Sequence, residues 1–267
     1  MKYEIIPFTE KYTRTLFELI CQTIREEYSE YYTSDAIDYF LSYNQPDDIL
    51  NDAQKGYTAL FFIDGKLVGS GGLVNNNIRR VFVLSEYHRK GIGTLILKHL
   101  ENKAKENNLD FTELYAMTPS VSFYKTLGYS ELIQCQYKTC GNSFVDYIRM
   151  AKSLITPNVN ILPDLNNKRF IFNSIKYPFL NGKEVLFFLY DNIIMSVFPE
   201  RREYNEEMIG TIEKSFVSLN YFFVENNREH RGLCKCISGK TNMEKLSFTG
   251  FDKNDNQLFI LDEAPSF

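Results

Sequence analysis

A two-domain α/β (α+β) chain is what three observations predict. The apolar run Ile78 to Val83 leads through a polar turn and two glycines, Gly91 and Gly93, into a helix-patterned segment, a strand–loop–helix unit. Asp64 and Gly65 separate two strand-like runs, a hairpin signal because both residues tolerate positive φ. From Pro157 to Asn167 the chain turns Pro- and Asn-rich, and new strand patterns begin after it. The boundary is therefore placed between Ala151 and Asp164, giving domains 1–152 and 153–267. At 267 residues, with 44% hydrophobic and 15% aromatic composition, the chain can fill two cores.

The elements follow in order. Tyr3 to Pro7 reads as a strand, and residues 9–28 carry Leu16, Leu19, Ile20, Thr23 and Ile24 at helical spacing. A second helix starts at Ser34, which is expected to cap it, with Asp35 in its first turn. Thr58 to Ile63 and Lys66 to Leu73 flank the Asp64 turn, and Ile78 to Val83 is the next strand. In the helix that follows the loop, Ile92, Leu95, Ile96, His99 and Leu100 form one face, while Lys98, Glu101, Lys103, Lys105 and Glu106 take the others. Thr112 to Ala116, a short helix from Ser120, and strands near 129–137 and 143–151 complete the first domain.

The second domain reads as a smaller α+β unit of strands and one long helix. Arg169 to Ile175, Val185 to Tyr190 and Ile193 to Phe198 are strands, the last two joined at Asp191 and Asn192. Ile209, Ile212, Phe216, Leu219 and Phe223 predict a helix from Asn205 to Val224, covering strands at Gly232 to Ile237, Lys245 to Thr249 and Gln257 to Leu261.

Charge and cysteine usage narrow the function. A net charge of −4 argues against nucleic acid or an anionic membrane as partner. No apolar run reaches membrane-spanning length, and charges stand where a secretion signal needs an apolar block, so a cytoplasmic location is expected. Five scattered cysteines do not make a disulfide framework, and Cys135, Cys140, Cys234 and Cys236 miss the spacing of paired zinc hooks; reduced thiols and no metal are expected.

The chemistry gathers at residues 83–94. At a helix start the first N–H groups lack intrahelical partners and the dipole is positive, so an anion is favoured there. Glycine lets a pyrophosphate approach and permits backbone angles closed to other residues. Arg79, Arg80, Arg89 and Lys90 form a basic patch read as a partner for cofactor phosphates. No third glycine stands where a dinucleotide loop needs one, since Ile96 is there, and no Gly-Lys-Ser/Thr occurs.

Val83 to Gly93 resembles the acetyl-CoA loop of the GNAT superfamily of N-acetyltransferases, and Phe123, Tyr124, Gly128 and Tyr129 resemble its Phe-Tyr-x-x-x-Gly-Phe/Tyr signature. The resemblance covers residues 1 to about 152 and implies the GNAT fold, with a mixed, mostly antiparallel sheet. It implies an enzyme that transfers an acetyl group from acetyl-CoA to a primary amine of a small molecule or peptide. By the same resemblance, backbone groups of Val81 and Val83 hold the pantetheine arm. The pyrophosphate falls to His88, Arg89, Lys90, Gly91, Ile92, Gly93 and Thr94; Phe123 is a packing wall and Tyr124 the general acid. Two positions depart from the family pattern. His88 replaces the usual Arg/Gln of Arg/Gln-x-x-Gly-x-Gly/Ala, which removes a fixed charge, and Ser85 replaces a proline.

A general base is not legible; Glu113 is either a proton relay or an ordinary surface carboxylate. Glu26 to Thr33, with Tyr39 and Tyr43, is acidic and aromatic and suits a cationic amine. A competing reading makes the first domain a non-catalytic acyl-CoA sensor and the second its partner-binding module. The second domain could also shape specificity or support a homodimer.

Overall fold

The computed structural model describes residues 3–139, 143–154, 169–190, 193–197, 207–213, 216–225, 228–241 and 245–264. They belong to two compact units, Met1–Leu154 and Ile155–Phe267.

The first unit opens with β1 (Tyr3–Pro7), then three helices, α1 (Thr13–Tyr28), α2 (Ser34–Ser42) and α3 (Pro46–Lys55). Strands β2 (Tyr57–Ile63), β3 (Lys66–Val74) and β4 (Asn77–Val83) follow, then α4 (Ile92–Glu106), β5 (Phe111–Met117), α5 (Val121–Thr126), β6 (Ser130–Lys138) and β7 (Phe144–Ser153). The hairpin between β2 and β3 turns on Asp64 (φ 47°) and Gly65 (φ 83°), the positive-φ pair that this turn requires. Helix α2 begins with Ser34 inside it rather than capping it: Thr33 is the extended residue before the helix, and its hydroxyl bonds the Asp35 carboxylate at 2.6 Å. Helix α3 was not foreseen. Its start nevertheless carries a proline at the first turn and the carboxylate of Asp48 accepting the Gln45 N–H at 3.0 Å.

The seven-stranded sheet runs β1-β2-β3-β4-β5-β7-β6. Its pairs are antiparallel except β4 with β5, which meet at one registered pair, Asn77 opposite Glu113. Alternation sorts the core into two layers. Ala59, Phe61 and Ile63 face Ile96, Leu97 and Leu100 of α4, while Leu60 faces Leu16, Leu19, Ile20 and Ile24 of α1. Gly71 sets the spacing of the first layer: a Cβ there would stand 2.5 Å from Ile96 Cγ2 and 2.8 Å from Leu100 Cδ1. No helix among the described residues is long and apolar enough to cross a membrane.

In the second unit, β8 (Arg169–Asn173), β9 (Glu184–Tyr190), β10 (Ile193–Val197), β11 (Glu207–Glu213), β12 (Phe216–Glu225), β13 (Arg228–Thr241), β14 (Lys245–Phe251) and β15 (Gln257–Glu263) close into an antiparallel barrel. Phe170, Phe172, Val185, Phe248, Phe259 and Leu261 are buried. The helix expected from Asn205 to Val224 is not formed; its described part is the hairpin β11–β12, registered from Glu207↔Phe222 to Glu213↔Phe216. The physical reason lies in residue type. Gly210 weakens a helix interior, and Phe216, Val217, Tyr221, Phe222, Phe223 and Val224 favour a pleated surface. Closure removes exposed edges from this unit.

Of the cysteines weighed for zinc, Cys140 lies outside the described residues, as do Asp191 and Asn192 of the expected turn. Cys21 and Cys135 are free thiols.

Candidate functional site

The site grows from the end of β4. After Val83 the chain takes a single 3-10 turn, Ser85–Tyr87, closed by Tyr87 N–H to Leu84 O (2.8 Å) and His88 N–H to Ser85 O (3.0 Å). Arg89 (φ 58°) and Gly91 (φ 79°) are then both left-handed. For Gly91 this is free of side-chain strain; for Arg89 it is an outlier of the kind that costs about 1–3 kcal/mol and gathers at ligand sites. The first helical bond of α4 runs from Leu95 N–H to Gly91 O at 3.0 Å. The N–H groups of Ile92, Gly93 and Thr94 therefore precede the helical ladder and point from its positive end. Left-handed residues before a helix start form a concavity of main-chain donors suited to an anion.

A cavity of about 610 Å³ lies against this loop. Val81, Val83, His88, Arg89, Gly91, Ile92, Gly93, Thr94, Phe123 and Tyr124 all line it, so one space collects ten of the eleven site residues expected from sequence. Lys90 is the exception, its ammonium standing 5.0 Å above the Tyr87 ring. Phe123 packs so closely that a Cβ on Gly93 would sit 2.9 Å from its Cζ. Along the cavity, among the described residues, β4 has no ladder partner beyond Asn77 on its β5 side, and Val81 to Val83 line the space.

Tyr124 is 9% exposed, and burial raises its phenol above the usual range, keeping it protonated at neutral pH. Its ring is held between Phe123 (5.2 Å) and Tyr129 (6.0 Å). Helix α1, with Thr23, Glu27 and Tyr28, and the turn after it, with Tyr31, supply another wall. Of the acidic and aromatic stretch singled out in the sequence, these last three reach the cavity. Glu26 is instead tied to Ser85 Oγ (2.5 Å) and Gln22 (2.8 Å), and Tyr39 packs tilted against Tyr43 at 4.7 Å. Tyr28 had a signal of its own: it follows Ile20 and Ile24 at four-residue steps, the buried stripe of α1.

Two sequence expectations are corrected. Arg79 and Arg80 do not join Arg89 as phosphate partners. The β3–β4 register shifts between Ser70 and Gly72, setting Arg80 and Val81 opposite Gly71, and Arg80 takes φ 52°. At this bulge both guanidinium groups reach Asp52 of α3, and Arg80 also donates to the Tyr43 carbonyl at 3.1 Å. Nor is Glu113 a surface carboxylate or a free base. It is 8% exposed, and Arg149, itself buried, donates to Oε2 through both Nε (2.9 Å) and Nη2.

Residues 28–154 match the acetyltransferase (GNAT) domain family. An uncharacterised N-acetyltransferase of Dictyostelium discoideum is 35% identical over 68 residues, 24% of this chain, so the match spans about a third (32%) of that relative. A GCN5-related N-acetyltransferase structure from Rhodopseudomonas palustris superposes with a TM-score of 0.53 at 15% identity, covering 57% of this chain and 96% of the other. A PaiA N-acetyltransferase of Thermoplasma acidophilum, solved with coenzyme A, gives 0.48 at 22% identity over 57% of this chain and 99% of the other.

Proposed function

The first unit is a GNAT acetyltransferase domain, and from that premise we propose that the protein transfers an acetyl group from acetyl-CoA to a primary amine of a small molecule or peptide. One observation carries the reading: the left-handed pair Arg89 and Gly91, the unladdered N–H groups of Ile92, Gly93 and Thr94, and the Tyr124 phenol all border one cavity.

When bound, acetyl-CoA supplies an activated thioester. The fit to this site is tested by the loop itself, whose donors are main-chain groups and whose Gly93 leaves no Cβ between α4 and Phe123. The amides from Arg89 to Thr94 hold the pyrophosphate, with the exposed Arg89 side chain as a fixed charge on the same cavity. Lys90 does not line the cavity and is drawn over Tyr87. The Val81 to Val83 segment offers main-chain groups to the amide-bearing pantetheine arm. Tyr124, protonated by burial, gives its proton to the sulfur that leaves. The wall made by α1 and the turn after it receives the acceptor, Glu27 attracting the ammonium and Tyr31 offering a ring face. An amine of pKa about 10.4 must lose a proton before it attacks, and water in the cavity can take it. The second unit, whose strands β8 to β15 form the barrel, is an accessory domain in this scheme.

Thiol release measured across a panel of primary amines, with acetyl-CoA binding followed by calorimetry, tests the proposal. Amine-dependent release is expected, and Tyr124→Phe should lower kcat more than it weakens acetyl-CoA binding. Tight binding with no amine-dependent release from any member of the panel would replace the enzyme with a sensor.

A further inference from the structure

Tyr124 cannot act alone at low cost. A thiol titrates near about 8.5 and an unperturbed phenol near about 10. Burial lifts Tyr124 further. Handing its proton to a thiolate is therefore uphill unless another donor meets the phenol oxygen as it becomes negative. A buried, water-poor site makes that donor worth more than it would be in solvent.

Tyr28 carries a hydroxyl in the same cavity. It closes α1 and lines the cavity together with Tyr124. Its ring is wedged edge-on against Phe40 at 5.0 Å and tilted against Tyr32 at 5.7 Å, so packing limits the headings open to its hydroxyl. The neighbouring Tyr124 phenol adds to the burial that raises Tyr28, which keeps Tyr28 a donor throughout.

We propose that Tyr28 is a positioning residue acting through Tyr124, its O–H donating to the Tyr124 oxygen while that oxygen gives its proton to the leaving sulfur. The inference rests on the acetyltransferase reading above. The step balances as follows. The amine nitrogen forms the C–N bond, the C–S bond breaks with its electron pair on sulfur, and the Tyr124 proton passes to that sulfur. Tyr124 regains a proton, through cavity water, from the cationic nitrogen as it becomes the amide. Tyr28 keeps its own proton, and the one proton released overall is the one the ammonium gives up before it attacks. The device also joins the two halves of the reaction, since the helix that walls the acceptor carries the group that tunes the acid.

A double-mutant cycle on the full-length chain tests this, using Tyr28→Phe, Tyr124→Phe and the pair, with kcat from thiol release and acetyl-CoA affinity from calorimetry. Tyr28→Phe should lower kcat about ten- to a hundredfold, the range of one hydrogen bond to a charged group, and leave acetyl-CoA affinity within about twofold. In the Tyr124→Phe background the same change should do almost nothing. An equal loss in both backgrounds, a parallel loss of affinity or melting temperature, or an unchanged kcat would overturn the proposal. A wild-type chain that releases no thiol with any amine fails at the earlier step and removes the acetyltransferase reading and this inference together.

Discussion

His88 Nε2 lies 2.8 Å from the main-chain carbonyl of Val83. A carbonyl only accepts, so Nε2 carries the proton, and Nδ1 is left facing Glu27 Oε2 at 3.6 Å. The side chain at the first position of the loop is thus turned back on the strand and across to α1, away from the role an arginine would fill there. Cofactor affinity should then rest on main-chain donors and Arg89. His88→Ala is expected to change the acetyl-CoA dissociation constant by no more than about threefold, whereas a tenfold loss, about 1.4 kcal/mol, would put the imidazole on the phosphates.

The two loop glycines should fail differently. A Cβ on Gly91 meets nothing within 4 Å, but its φ of 79° strains any residue that carries one. Gly91→Ala should cost about 1–2 kcal/mol of loop order, and Gly91→Asn less, because asparagine visits left-handed angles more readily. Gly93→Ala instead drives the Phe123 ring out of its seat. Acetyl-CoA affinity should fall with little change in melting temperature, and Phe123→Leu should restore part of it. Titration calorimetry and thermal melts of the four variants separate the two causes; identical behaviour at both positions would refute the distinction.

What could be read from sequence, and what could not, follows the range of the forces involved. The Gly91 loop and Phe123 with Tyr124 are local signals, legible because turn geometry and helix starts depend on adjacent residues. The antiparallel strands of the first unit were legible for the same reason. The pairing of Arg79 and Arg80 with Asp52 was not, because it depends on a bulge that only register against Ser70 and Gly72 creates. Adjacent arginines look like one patch until the backbone turns them. Glu113 was misplaced because its partner Arg149 lies 36 residues away. In the barrel, Ile209, Ile212, Phe216, Leu219 and Phe223 fit a helical period by coincidence while residue types favoured strands. There β-propensity outweighs the periodicity, and the hairpin β11–β12 forms.

The Glu113–Arg149 pair should behave as structure rather than catalysis. Removing one member of a buried pair strands the other charge, a loss of about 3–5 kcal/mol. Arg149→Met should therefore lower the melting temperature sharply, and the double change Glu113→Gln with Arg149→Met should recover much of it. Glu113→Gln that keeps full stability yet abolishes thiol release would reverse this assignment and return Glu113 to proton transfer.

Asp35 gives the first unit a pH dependence of known sign. Its carboxylate accepts from the hydroxyls of Thr33 (2.6 Å), Ser143 (2.8 Å) and Thr139 (2.8 Å), tying α2 to the ends of β6 and β7. Those bonds, Thr33 first, then Ser143 and Thr139, hold its pKa well below the ordinary carboxylate range. A depressed folded-state pKa contributes stability that is whole above the unfolded value, near about 3.9, and is lost as pH falls through the folded value. Asp35→Asn removes the charge at every pH. The gap in melting temperature between wild type and Asp35→Asn should be largest near neutrality and narrow steadily below about pH 4. Thermal melts from pH 7 down to acid unfolding measure it. A gap that stays constant with pH would mean that the three hydroxyls serve the amide as well as the carboxylate, and that charge contributes nothing to this tie.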